Sequence, residues 1–204
     1  MTKAQKSAID DHGHDFIYLP NEPFTPGDLF PDKNEVVVEI GSGMGEATAQ
    51  IAQAFPEKGF LAIEVHRPGI GSLILRALDR QVQNLKMINE DCHLVLDLFK
   101  DGSVDQFHIF FPDPWPKTKH RKRRLINDAF VAVLARKIKS SGTIRIATDW
   151  ADYAHQIESV FARSNDFEGG VTSRPQWRPL TKFESQGLDK EHRVIDFHYV
   201  KRAS

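Results

Sequence analysis

The sequence predicts a doubly wound α/β fold built on a mostly parallel sheet. Three observations carry that expectation. Short apolar runs alternate with stretches whose apolar residues recur at helical spacing. The runs themselves are near-continuously apolar, as strands buried on both faces must be. A glycine-rich turn joins the first run to its helix, the place where such sheets meet ligands. At 204 residues and 40% hydrophobic, the chain can bury one substantial core, and a single domain is expected over residues 34–204.

Residues 1–33 are rich in Pro, Asp, Asn and Gly with little periodicity, which reads as a mobile or loosely docked arm without regular structure. The first strand is VVVEI (36–40), followed by a helix with Thr48, Ile51, Ala52 and Phe55 on one face. GFLAIEV (59–65) is the second strand, and Leu73, Ile74, Ala77, Leu78 and Val82 mark the next helix face. LKMIN (85–89) follows as strand, HLVLDLF (93–99) as a short helix and DQFHIFF (105–111) as strand. A longer helix is expected from about Lys122 to Lys139, with Leu125, Ile126, Ala129, Phe130, Val133, Leu134 and Ile138 on one side. GTIRIATD (142–149) is strand, and the helix from Ala151 buries Tyr153, Ile157, Val160 and Phe161. A loop-rich stretch through Pro175 and Pro179 leads to RVIDFHYV (193–200), which has no full helix before it and is expected to run antiparallel.

The formal charge is -1 from 27 basic and 28 acidic residues, yet six Lys/Arg fall between Lys117 and Arg124. Such a cluster fits a polyanion touching one face; a solvated, charged helix start is the other reading. The single cysteine, Cys92, cannot form an internal disulfide, and MTKAQKSAIDDHGHDF lacks the apolar core of a signal peptide, so a cytoplasmic protein is expected. No apolar run approaches the roughly 18 residues of a membrane helix, so no membrane association is expected. The nine histidines fall in no zinc or iron spacing, and no metal is expected. The chain carries no G-x-S-x-G elbow and no Walker loop, which leaves hydrolase and ATPase readings without support. No obligate protein partner is evident.

EIGSGMGE (39–46) sits between the first strand and its helix, where glycines let the backbone turn and approach a ligand. Gly41, Gly43 and Gly45 are evenly spaced and Glu46 stands at the third fingerprint position, which argues against a dinucleotide. Glu39, at the end of an apolar strand, needs a cationic or donating partner, and the ammonium of a methionine-like moiety would serve. S-adenosylmethionine meets that demand. Glu64 ends the second strand where a carboxylate can accept both ribose hydroxyls; helix capping or a surface ion pair is the plainer role for either glutamate. Asp91, at the end of the third strand, would lie beside an adenine or cap the helix that follows. In the common strand order, the fourth strand neighbours the first, so Asp113 in FFPDPW would face the reactive end of the cofactor. Pro112 and Pro114 hold that carboxylate in an extended turn. Trp115 can stack on a base or cover the core, and Asp149 can contact substrate or cap the helix from Ala151.

EIGSGMG, EVHRPG, FPDPWPKTKHRKRR, TDW and TKFE, in this order, resemble the bacterial tRNA (guanine-N(7)-)-methyltransferases over residues 36 to about 200. The resemblance implies a seven-stranded class I S-adenosylmethionine-dependent methyltransferase fold, and methyl transfer to N7 of the variable-loop guanosine at tRNA position 46. It further implies that Glu39, Glu64 and Asp91 contact the cofactor with the glycine loop, and that Asp113 is the catalytic acid beside it. Lys117, Asp149, Thr181, Lys182, Phe183 and Glu184 look like substrate contacts. Lys119, His120, Arg121, Lys122, Arg123 and Arg124 look like the RNA strip. The pattern departs at Ser185 and Gln186, where family members commonly carry arginine before the glycine. The chemistry agrees: guanine N7 is an acceptor with a free lone pair, so its methylation needs no strong base.

Overall fold

The computed structural model describes residues 1–180 and 193–203. Its strands are β1 (Glu35–Ile40), β2 (Lys58–Ile63), β3 (Leu85–Ile88), β4 (Val104–Phe110), β5 (Ile138–Thr148), β6 (Phe167–Thr172) and β7 (Ile195–Lys201). Its helices are α1 (Lys3–Phe16), α2 (Glu46–Ala54), α3 (Arg67–Asp79), α4 (Cys92–Leu98), α5 (Asp128–Lys137) and α6 (Ala151–Arg163). The strands form one sheet in the order β3-β2-β1-β4-β5-β7-β6, with β7 alone running against the other six. β1 is flanked by β2 and β4, both parallel to it, so strand order reverses beside β1. The carboxyl edge at that reversal is where an open sheet admits a ligand.

Alternation along each strand sends its side chains to two cores. Val38, Ile40, Phe107 and Ile109 pack with Phe130, Tyr153 and Phe197 on one face, while Val37 and Phe60 pack with Ile70, Leu73 and Met87 on the other. Strands buried this way read as apolar runs, which is why β1, β2 and β4 were legible in the sequence.

Three elements differ from the sequence reading. The first 33 residues are not an arm without regular structure, because α1 starts with a reciprocal Thr2/Gln5 capping box and buries Ala8 and Phe16. It lies so close to α3 that a Cβ on Gly71 would stand 2.5 Å from the Gln5 carbonyl oxygen. A narrow stripe suffices for that docking, and a composition average hides it. Next, the expected helix from Lys122 begins only at Asp128, where the Asn127 side chain accepts from the Phe130 N–H. The basic residues before it form a 3₁₀ turn over Thr118–Arg123 that buries nothing. Finally, β6 escaped notice because Gly169 and Gly170 interrupt its apolar pattern. Tight pairing excludes a side chain there: a Cβ on Gly169 would lie 2.1 Å from the His198 carbonyl oxygen.

Arg178 is buried in the segment between β6 and β7 and holds the Asp196 carboxylate through two bonds of 2.9 Å. Its guanidinium also lies over the rings of Phe110 and Phe111, 5.8 and 5.5 Å from their centroids. Asp196→Ala leaves a buried guanidinium short of its main partner and is expected to lower unfolding free energy by about 3 kcal/mol, read from urea denaturation.

Candidate active site

The glycine loop leaves β1 with Gly41, Gly43 and Gly45 all at positive φ (79°, 56° and 74°), a path closed to most side chains. Gly45 caps α2 in that conformation. The loop rests on α3 so closely that a Cβ on Gly69 would stand 2.3 Å from the Gly43 carbonyl oxygen. On its other side, nothing lies within 4 Å of a Cβ built on Gly41 or Gly43, so backbone is presented to open space. Glu64 holds the loop: its carboxylate accepts from the Gly43 and His66 N–H groups, each at 2.7 Å.

A cavity of about 430 Å³ opens at this edge, and Gly41, Gly43, Glu64, Asp91 and Asp113 line it together. The structure therefore gathers most of the expected cofactor residues in one place. Glu39 and Gly45 do not line the cavity. Glu39 is 4% exposed, and burial pushes its carboxyl up to about 7. The Thr48 hydroxyl opposes that shift without reaching normal hydrogen-bond geometry, and the Glu64 charge adds to it. Glu39 is thus a buried acid that no cation in the chain neutralises among the described residues.

Asp91 meets both of its readings. It caps α4 by accepting from the His93 N–H at 2.8 Å, a bond that lowers its pKa, and it also faces the cavity. Asp91, Cys92 and His93 bring ligand-type atoms within 4.8 Å of one another. However, the His93 ring is engaged with Asp91, and burial pushes the Cys92 thiol up to about 12, which keeps it protonated.

Asp113 is exposed on the turn after β4. Phe111 and Trp115 bracket it at φ 53° and 43°, left-handed conformations that bulky residues adopt only when their surroundings enforce them. The Phe111 N–H bonds to the Ala147 carbonyl at 2.8 Å, and Arg178 covers the Phe111 ring. Trp115 belongs to neither core: Arg123 lies 5.0 Å over its ring and His120 meets its edge. The tryptophan is a platform for the basic turn, a role the sequence did not suggest.

Lys117, Lys119, Arg121, Lys122 and Arg123 are exposed on that turn, with His120 partly so. Arg124 departs from the strip, being 2% exposed. It donates to the Pro114 carbonyl at 2.7 Å, to Gln156 at 2.8 Å and to Asp152 at 2.6 Å, and its guanidinium lies over the Tyr153 ring. It fastens the Asp113 turn to α6 and presents no charge to a partner. Asp149 is half-buried and is not the cap of α6, whose N-cap residue is Trp150. Thr181, Lys182, Phe183 and Glu184 lie outside the described residues. Ser42 of the glycine loop, which the sequence did not single out, has a buried hydroxyl without a partner among the described residues. Arg124→Ala is expected to destabilise the protein by about 2 kcal/mol in urea unfolding, whereas Lys122→Ala stays within about 0.5 kcal/mol.

A bare glycine backbone with Glu64 and Asp91 on one cavity, and the buried Glu39 carboxyl and Ser42 hydroxyl on β1 and its loop behind that lining, suit a ligand with an ammonium group and a ribose. Comparison with known proteins agrees. The family described as "Putative methyltransferase" matches residues 33–197. The "tRNA (guanine-N(7)-)-methyltransferase" of Nitrosomonas europaea is 46% identical, over 98% of this chain and 90% of the relative. That of Haemophilus influenzae strain PittGG is 41% identical, over 99% of this chain and 85% of its own. Among solved structures, the 16S rRNA methyltransferase KamB superposes with a TM-score of 0.65 at 13% identity, covering 92% of this chain and 99% of that one, which identifies the class I methyltransferase fold. Matched nearly end to end by such relatives, the chain belongs to the tRNA (guanine-N(7)-)-methyltransferase family.

Proposed function

We propose that this protein methylates N7 of the guanosine at position 46, in the variable loop of tRNA, with S-adenosylmethionine as methyl donor. The observation that carries the reading is the single cavity shared by Gly41, Gly43, Glu64, Asp91 and Asp113, with Arg123 of the basic turn on its rim. The donor supplies an electrophilic sulfonium methyl. Guanine N7 supplies a lone pair, so the protein's task is alignment and charge placement, and no base has to remove a proton first.

Glu39 has the burial and the unmet charge to receive the donor's ammonium, and Glu64 the position to accept its ribose hydroxyls. Asp91, held ionised by its cap bonds, lines the same cavity and would lie beside the adenine. Asp113 projects from a turn whose φ angles leave it little freedom. There it favours the positive charge that grows on the purine as N7 is alkylated, or accepts from the N1–H and N2–H₂ edge and so orients the base. Lys117, Lys119, His120, Arg121, Lys122 and Arg123 grip the RNA backbone beside it. Arg124 serves from beneath. In A-form helices the major groove is too deep and narrow for side chains, so the target base must be splayed outward. Asp149 and Thr181, Lys182, Phe183 and Glu184 are proposed substrate contacts on the family resemblance alone.

Incubation with labelled S-adenosylmethionine and unmodified tRNA transcripts tests the function. N7-methylguanosine is expected in the parent transcript and none where guanosine 46 is changed to adenosine; equal methylation of both contradicts the proposal. Asp113→Asn is expected to lower turnover by about a hundredfold, and unchanged turnover removes both of its roles. The raised pKa of Glu39 also sets a pH dependence. An ammonium ligand favours the ionised carboxyl, so binding releases a proton and tightens as pH rises towards 7. Affinity for S-adenosylmethionine should rise about fivefold between pH 6 and 7, and that slope should vanish in Glu39→Gln, as measured by calorimetry.

A further inference from the structure

A second cavity of about 290 Å³ lies between the sheet and the segment around Trp177, and it shares no lining residue with the cavity of Asp113. His108, Arg145 and His198 reach it from one row of the sheet, being register partners across β4, β5 and β7. Glu39 continues that row on β1 but does not line the cavity.

The polar groups in this cavity are unusually short of partners. His108 is 2% exposed, and neither of its ring nitrogens has a hydrogen bond among the described residues. Its ring stacks on Trp177, with centroids 5.1 Å apart and planes 15° from parallel. Burial, then the charges of Arg145 and Lys58, push it down to about 3, so the imidazole is neutral and keeps one N–H to donate. Nε2 of His198 is likewise buried and has no partner among the described residues. Arg145 is half-buried and forms no ion pair or side-chain hydrogen bond among the described residues. Asp196, the acid whose charge acts on it, is taken by Arg178, and Glu35 is taken by the lining residues Lys58 at 2.6 Å and Gln106 at 3.0 Å. Buried donors of this kind are costly unless an acceptor meets them, and each pairing already made leaves the excess positive.

We propose that this cavity is a binding site for a small molecule bearing an oxyanion, a phosphate or a carboxylate. Arg145 clamps the oxyanion, and the imidazole N–H groups of His108 and His198 add donors. The Thr143 hydroxyl lines the same wall, and Trp177 with Phe55 supplies an apolar flank for the rest of the molecule. The volume is near the lower end of what small-molecule sites occupy, about 300 Å³. The occupant is therefore a small metabolite and not a nucleic-acid strand.

Calorimetric titration of the full chain with inorganic phosphate and, separately, with acetate, at constant ionic strength, tests the site. Saturable binding of at least one of them is expected, with a dissociation constant on the order of 1 mM. Arg145→Gln should weaken it about tenfold or more, and Arg145→Lys by less, because the charge remains while the fork is lost. Affinity for S-adenosylmethionine should be unchanged in both, which shows that the variants fold. The anion that survives as the tighter ligand identifies the phosphate or carboxylate source. Absence of saturable binding overturns the proposal. So does binding that persists in Arg145→Gln but disappears when Lys119, Arg121, Lys122 and Arg123 are replaced by alanine, since the anion would then be on the basic turn.

Discussion

Glu64 joins three parts of this protein with one carboxylate. It stands at the end of β2, and its two oxygens take the N–H of Gly43 in the loop after β1 and the N–H of His66 at the start of α3. A buried carboxylate needs such donors, and the donors in turn fix the loop. With the loop fixed, Gly43 can rest on Gly69, Gly45 can open α2 in a left-handed conformation, and Glu39 is sealed below with no cation of its own. One acid is satisfied by backbone dipoles and the other is left waiting. That asymmetry leaves an unneutralised carboxyl behind the edge of β1 and β2 among the described residues.

The second half of the site is built from strain and its restraints. Phe111 and Trp115 hold unfavourable φ angles on either side of Asp113, and such angles persist only where packing over-determines them. Arg178 covers Phe110 and Phe111 from the β6–β7 side, while Arg124 ties the Pro114 carbonyl to α6. The exposed cations of the basic turn are carried along, since Trp115 supports Arg123 and His120. An exposed acid and the exposed cations beside it are thus set by one short stretch of chain, FFPDPWPKTKHRKRR.

Much of this was legible in the sequence because burial on both faces forces strands to be apolar and because glycine loops mark ligand edges. The placing of β4 beside β1 was expected from the common order of such sheets, and the antiparallel β7 from the missing helix before it. What escaped has equally physical causes. α1 docks with Gln5, Ala8, Gly13 and Phe16 buried, a mixed set that leaves no strong apolar periodicity. β6 carries two glycines, and at Gly169 its neighbour comes too close for a side chain. Arg124 looks like its basic neighbours in sequence, and only the fold shows that it turns inward. Residues such as His108, Arg145 and His198 come from distant strands, and nothing in their spacing announces that they share a cavity.

The central claim is that the chemistry is alignment of an unmodified N7 lone pair, with the acids of the site placing charge and orienting the base. A tRNA carrying 7-deazaguanosine at position 46 replaces that nitrogen by C–H and leaves the other base edges intact. Single-turnover methyl transfer to this RNA measures the claim directly. The account predicts binding close to that of the parent tRNA with no methyl incorporated at position 46. Methylation of the deaza base at another atom would contradict it.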